Sequence, residues 1–167
     1  IADFWSMLQG FQTSGKCIEK AHYRIRYMKS FRPLSVKEDI EFKEARPILY
    51  LNTAAVASLF NSRNAGSTSN RSNWSTIMSY LKSHTSYLGL KQDRFTILLP
   101  SGLPDYTIDI VNGEQVKKVK VNRPKALCFD YLQLKETFGL DLETEVVAEN
   151  QEEMTTESDT SERHQST

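Results

Sequence analysis

Hydrophobic and polar residues alternate along the first 140 positions with two different periods. Apolar residues spaced three and four positions apart predict helices, at 3–13, 53–62, 73–83 and 131–138. Apolar residues at every second position, or in short runs, predict strands, at 22–28, around Ile40 and Phe42, and at 48–51, 94–99, 106–111, 115–121 and 126–129. The pattern therefore predicts a small α+β domain.

The dipeptide Asn112-Gly113 is the strongest turn signal in the chain, because both central positions of a tight hairpin turn need a positive φ. It predicts a hairpin made of the strands at 106–111 and 115–121. In the second strand lysines alternate with valines, so the two sets should face opposite sides. We expect Lys118 and Lys120 to face outward and Val119 and Val121 to face inward.

The last predicted helix carries signals at both ends. Asp130 is a typical N-cap, and Gln133 lies three residues further on, where a capping box has its second side chain. Gly139 follows the helix and predicts its end.

The order helix, polar loop, helix and hairpin predicts winged-helix character, although about ten residues separate the helices where helix-turn-helix pairs use 3–4. Residues 60–125 hold ten basic and four acidic side chains. A helix with a small polar face can enter the major groove, and lysines of a wing can neutralise phosphates. The residues expected to contact nucleic acid are Arg71, Ser75, Thr76, Ser79, Lys82, Lys117, Lys118, Lys120, Arg123 and Lys125.

Trp74 begins the second of these helices and allows two interpretations. It lies at helical spacing from Ile77, Met78 and Leu81, which favours packing in the core. A tryptophan at the start of a basic helix could instead stack on a base.

A net charge of zero over 167 residues hides two opposite parts of the chain. Residues 1–140 contain 20 basic and 12 acidic side chains, whereas 141–167 contain one basic and nine acidic side chains. The segment 143–167 has few large apolar residues, so we predict a disordered acidic tail. The tail is a solvating terminus, a mimic of phosphate that competes for the basic body, or a docking peptide.

Histidines and cysteines give no metal-binding pattern. His22, His84 and His164 are far apart and lack the spacing of zinc ligands. Cys128 lies in an apolar run that is typical of a core, and no base is indicated near Cys17. We therefore expect no metal and no cofactor.

Three aspartates are the remaining candidates for catalysis. Asp105, Asp109 and Asp130 could form the carboxylate cluster of a metal-dependent nuclease. Asp105 also suits a turn, and Asp130 suits a helix cap. We therefore expect no catalytic residue and no enzyme activity from this chain alone.

Three segments resemble the C-terminal part of primase–helicase-like replication proteins of bacterial phages and mobile elements: ARPILYLNTAAVASLFN, NWSTIMSYLKSHTSYLGLKQDRF and KALCFDYLQLKETFGLDLE. They cover about 60 of 167 residues. The resemblance implies a DNA-contacting accessory region that follows an ATPase or primase domain. The phosphate-binding loop G-x-x-x-x-G-K-[ST] does not occur in the sequence, so the resemblance implies no ATPase activity here.

The sequence divides into three predicted segments. Residues 1–51 form an N-terminal helix and strands that could continue a preceding domain, 52–142 form the winged-helix-like α+β module, and 143–167 form the tail. No membrane span or signal-peptide pattern occurs in the sequence, so we expect a cytoplasmic location and no membrane partner.

The predicted function is that of a non-catalytic DNA-binding accessory module of a replication or mobile-element protein. Its expected partner is nucleic acid, in the form of duplex DNA. The alternatives are a protein–protein interaction domain of a larger assembly and a fragment of a metal-dependent nuclease.

Overall fold

A computed structural model describes residues 2–64 and 74–143 of the chain. Four helices and eight strands lie within these residues. In chain order they are α1 (Ala2–Thr13), β1 (Tyr23–Phe31), β2 (Ile40–Asn52), α2 (Thr53–Asn64), α3 (Trp74–Ser83), β3 (Tyr87–Gln92), β4 (Phe95–Thr96), β5 (Tyr106–Val111), β6 (Glu114–Val119), β7 (Val121–Asn122), β8 (Lys125–Asp130) and α4 (Tyr131–Phe138).

Four of the strands form the main antiparallel sheet, in the order β1-β2-β8-β3. The remaining strands form two small pairs, β4 with β7 and β5 with β6. The predicted α+β class is confirmed. The main sheet combines β1 and β2 from the first predicted segment with β8 and β3 from the second.

Helices cover one face of the main sheet. Trp5 and Leu8 of α1, Phe60 of α2, Leu81 of α3 and Leu134 of α4 are all buried in one core. The sheet contributes Leu49, Leu51, Leu127 and Phe129 to this core.

On the opposite face a smaller core contains Phe31, Ile48, Tyr50, Phe95, Ala126 and Cys128. Because both faces are covered, the central strands are continuous apolar runs.

The strand β2 is longer than the pattern predicts. The pattern predicts a short strand near Ile40 and another at 48–51, but the structure has one strand that pairs with β1 on both sides of a bulge. Pro47 lies inside this strand, opposite Tyr27, just before β8 joins at Ile48. The missing amide of Pro47 therefore falls where only one neighbouring strand is present.

The region after α3 differs most from the prediction. The strand predicted at 94–99 is reduced to Phe95–Thr96, and β3, which sequence analysis misses, forms the edge of the main sheet at Tyr87–Gln92. Every residue of β3 except Gln92 is half-buried, so the strand lacks the alternation by which strands are recognised.

The helix α4 has the predicted ends. The Asp130 carboxylate accepts a hydrogen bond from the Gln133 amide at 3.5 Å, and Gly139 has a φ of 67°. The capping box is incomplete, because the Gln133 side chain donates to Thr85 and the Asp130 amide donates to Ser86. No helix in the described part of the chain is long and apolar enough to cross a membrane.

The side chain of Trp74 is half-buried and packs at the edge of the core. Its ring lies 6.1 Å from the ring of Phe4 and 5.9 Å from that of Phe60, between centroids. Cys17 and Cys128 are both buried as free thiols, and burial raises the pKa of Cys17 to about 12. Both cysteines are therefore protonated residues of the core.

Candidate functional site

The strands β5 and β6 form a two-stranded hairpin, called here the hairpin arm (106–119). Asn112 and Gly113 have φ values of 53° and 80°, so the turn predicted from this dipeptide is confirmed. The strands pair in register from Tyr106 opposite Val119 to Val111 opposite Glu114. This register determines which side chains share a face.

One face of the arm, called here the apolar face, carries the apolar side chains of Tyr106, Ile108, Ile110 and Val119. Their exposed fractions are 43%, 60%, 69% and 40%. Lys117 and Gln115 share this face, since they pair with Ile108 and Ile110. Nothing in the described part of the chain buries these apolar side chains.

The exposed apolar residues are concentrated in one part of the molecule. Of the twelve large apolar residues that are exposed among those described, eight lie between residues 99 and 121. The prediction that Val119 and Val121 face inward is wrong, because their exposed fractions are 40% and 38%. Val119 does share a face with other apolar residues, but no core covers that face.

The lysines of the arm have local partners. The Lys117 ammonium lies 4.4 Å from the centre of the Tyr106 ring, in a cation–π contact on the apolar face. On the other face Lys118 forms an ion pair with Asp109 at 3.3 Å. Lys118, with help from the Ile110 amide, lowers the pKa of the Asp109 carboxyl. The predicted phosphate-binding charges are therefore partly neutralised within the arm.

The other predicted basic residues are distributed around the base of the arm. Lys120 forms an ion pair with Asp105 at 3.5 Å. Arg123 and Lys125 are exposed, and the structure gives neither an ion pair within the described residues. Arg71 lies outside the described residues, as does the predicted tail from residue 144 onward.

The helix α3 presents the predicted polar face. Ser75, Thr76, Ser79 and Lys82 are all exposed, whereas Leu81 is buried on the opposite side. The helix packs against β3. Between α3 and the hairpin arm the chain adds β3 to the main sheet and pairs β4 with β7, so the arm does not follow α3 directly.

The three candidate aspartates contact different cations. Asp105 pairs with Lys120, Asp109 with Lys118, and Asp130 with Arg46, whose guanidinium lies 2.9 Å from its carboxylate. Among residues 2–64 and 74–143 no group of three or more His, Cys, Asp and Glu side chains could hold a metal ion. The structure thus does not bring these carboxylates together as a cluster.

An ion pair on the main sheet was missed by sequence analysis. Arg24 and Arg26 alternate with apolar residues along β1, and both are half-buried. Arg26 donates two hydrogen bonds to Asp93, at 2.6 and 2.9 Å, and Arg24 donates to the Arg94 carbonyl at 2.6 Å. These partners are about 70 positions away in the sequence, so no local pattern could indicate them.

No protein-family model matches the sequence, and neither a curated protein nor a solved structure is detectably similar to the chain.

Proposed function

We propose that this chain is a protein–protein interaction module whose contact surface is the apolar face of the hairpin arm. The observation that carries the proposal is the exposure of Tyr106, Ile108, Ile110 and Val119 on one side of a two-stranded hairpin. Concentrated exposed apolar surface is typical of sites where another protein binds.

The architecture of the arm supports the same proposal. An isolated two-stranded hairpin is marginally stable in water, and it gains stability when a third strand or another element covers its apolar face. The arm's apolar face has no such cover within the described residues. A partner protein would supply the cover and remove the exposed isoleucines from water.

The chemistry of the face indicates the kind of partner. Ile108 and Ile110, the most exposed residues of this face, have no polar atoms in their side chains, so they favour an apolar protein surface over a phosphate backbone. Lys117, opposite Ile108, holds its ammonium over the Tyr106 ring, and tyrosine is enriched at protein–protein interfaces.

A photo-crosslinking amino acid at position 110, in the full-length protein in its native cells, tests the proposal. We expect discrete crosslinked products from Ile110 and none from the matched control at Thr107, which is exposed on the other face of the same strand. The substitution Ile108→Asp should abolish the products, since it places a charge in the interface.

Purified chain labelled at position 110 distinguishes a second copy from another protein, because only self-association gives a product without other proteins. Equal products from positions 110 and 107, or products that persist with Ile108→Asp, would contradict the proposed interface.

A second candidate function is DNA binding, with α3 and the hairpin arm acting as the helix and wing of a winged-helix-like module. The exposed polar face of α3 favours it, together with the resemblance to primase–helicase-like replication proteins. In this case the chain would be a duplex-DNA-binding accessory region of a replication or mobile-element protein.

Salt dependence of DNA affinity tests this second function. Replacing Arg123 and Lys125 by Gln should lower the salt slope by about one unit for each phosphate that is no longer neutralised. Replacing Lys118 and Lys120 by Gln should lower it less, because Asp109 and Asp105 already pair with these lysines. An unchanged affinity and slope in both double variants would exclude phosphate binding by these residues.

A further inference from the structure

A cleft of about 860 Å³ opens beside the start of α2, and no residue of the hairpin arm lines it. Its walls come from the connection between α1 and β1, from the first turns of α2, and from the segment 96–103. This volume lies within the range of small-molecule binding sites. The cleft has no local signal in the sequence, because the segments that form its walls are distant in the chain.

The polar groups of the cleft favour an anion. Lys16 and His22 line it, and no Asp or Glu does so within the described residues. Ala54 and Ala55, in the first turn of α2, also line it. The first amides of a helix lack partners within the helix and carry partial positive charge. The Asn52 side chain accepts from the Ala55 amide at 3.4 Å, which caps one of these donors.

His22 supplies a donor that the fold itself does not use. His22 is only 6% exposed and is one of the residues that line the cleft. Its Nδ1 accepts a hydrogen bond from the Ile18 amide at 2.9 Å, which places the ring proton on Nε2. The structure gives Nε2 no hydrogen-bond partner among the described residues. Burial lowers the pKa of His22, so the ring is neutral at pH 7.

The remaining walls of the cleft combine apolar residues with the uncharged polar residues Ser58, Thr96, Ser101 and Asn122. Ile18, Leu59 and Ile97 line it, as do Leu99 and Leu103, which are 42% and 64% exposed. Among the described residues no arginine lines the cleft. Arginine is the usual partner of phosphate, and one lysine with neutral donors suits a single negative charge better.

We propose that the cleft binds small monocarboxylates with an apolar body, with the carboxylate at His22 and the first turn of α2 and the body along Leu99 and Leu103. A buried imidazole N–H and helix amides would donate to the carboxylate oxygens. The proposal is independent of the interface on the hairpin arm.

Titration of the purified chain with decanoate, followed by calorimetry and by the ¹⁵N signals of the His22 ring, tests the proposal. We expect decanoate to bind at least tenfold more tightly than decanol, which has the same apolar body without the charge. Acetate, which has the charge without the body, should also bind at least tenfold more weakly. The His22 Nε2 signal should shift with decanoate.

The exposed residue Ala54 provides a matched pair of variants. Ala54→Glu places a carboxylate beside the proposed anion position and should weaken decanoate binding at least tenfold. The same substitution should keep or raise thermal stability, because an acidic residue favours the first turn of a helix. The neutral control Ala54→Gln should bind within threefold of the original chain.

Equal binding of decanoate and decanol, or an unmoved His22 signal, would overturn the proposal. So would equal decanoate affinities of the Glu and Gln variants with both proteins folded. None of these outcomes bears on the crosslinking experiment for the hairpin arm.

Discussion

The main sheet and the hairpin arm are both antiparallel, and both carry apolar side chains, but only the main sheet buries them. Leu49 and Leu51 of β2 lie under the helices at 0% exposure, whereas Ile108 and Ile110 of β5 are 60% and 69% exposed. The same kind of strand therefore serves as a core in one region and as a surface in the other. What differs is whether another element of the chain covers the face.

The ion pairs of the two regions also differ in how far they are exposed to water. The Arg26–Asp93 pair on the main sheet is largely shielded from water, whereas the side chains of Lys118 and Asp109 on the arm are 42% and 53% exposed. Exposed ion pairs contribute little to stability because water and salt screen them. The arm's ion pairs therefore contribute little to its folding.

The largest expected difference between the regions is the effect of removing an apolar side chain. Trp5 is buried and contacts the rings of Phe4 and Phe129 edge-on, so Trp5→Ala should lower the free energy of unfolding by about 3–5 kcal/mol. The matched change on the arm, Ile110→Ala, should alter it by less than about 0.5 kcal/mol. Urea denaturation of the two variants measures both values.

A large loss of stability in the arm variant would contradict this comparison. It would mean that Ile110 is buried in the free chain, and the proposed interface would then be part of the core.

A smaller difference is expected from removing a charge. Asp93→Asn should lower the free energy of unfolding by roughly 1.5–3 kcal/mol, because Asp93 is buried and accepts two hydrogen bonds from Arg26. Asp109→Asn on the arm should leave the urea midpoint unchanged. Equal midpoints for the two variants would show that the Arg26–Asp93 pair does not stabilise the sheet.

Gly139 and Gly113 both have a φ in the left-handed region, but they lie in different parts of the molecule. Replacing each of them tests whether the hairpin arm unfolds separately from the main sheet. Gly139 ends α4 with a φ of 67°, and Gly113 turns the arm with a φ of 80°. Alanine at either position should cost roughly 1–2 kcal/mol, because its Cβ is strained in this region. In Gly139→Ala the cost should appear in global unfolding, since α4 is part of the core.

In Gly113→Ala the same strain should be confined to the arm. Amide hydrogen exchange should become faster across 106–119, while the urea midpoint stays the same. A lower midpoint for Gly113→Ala would mean that the arm and the main sheet unfold together.

Local signals in the sequence predict the parts of the fold that depend on neighbouring residues. The hairpin turn follows from Asn112 and Gly113, and the ends of α4 follow from Asp130 and Gly139, because φ preferences and caps act over a few residues. The stripe of Leu81 and its neighbours likewise predicts the buried side of α3. These elements lie within a residue or two of their predicted positions.

The sequence does not reveal contacts between distant parts of the chain. The strand β3 has no alternation, since both its faces are half-buried by residues from elsewhere. The alternation at Val119 predicts a shared apolar face but not whether anything covers it. The cleft at His22 depends on three separate segments, so its existence follows only from the tertiary structure.

The smallest expected effect tests the register of the arm directly. Lys118 is the main reason that the pKa of Asp109 is lowered, because its ammonium donates a hydrogen bond to the ionised carboxylate and its positive charge favours that form. Replacing Lys118 by Gln should therefore raise the midpoint at which Asp109 takes up a proton, towards the ordinary value for an aspartate. Lys117→Gln is the matched control, since Lys117 lies on the other face over Tyr106. The carboxyl carbon shift of Asp109, followed by NMR as the pH falls, measures both midpoints.

If Lys117→Gln moves the midpoint as far as Lys118→Gln does, the two lysines do not lie on opposite faces. The apolar face would then not consist of the residues on which the proposed interface depends.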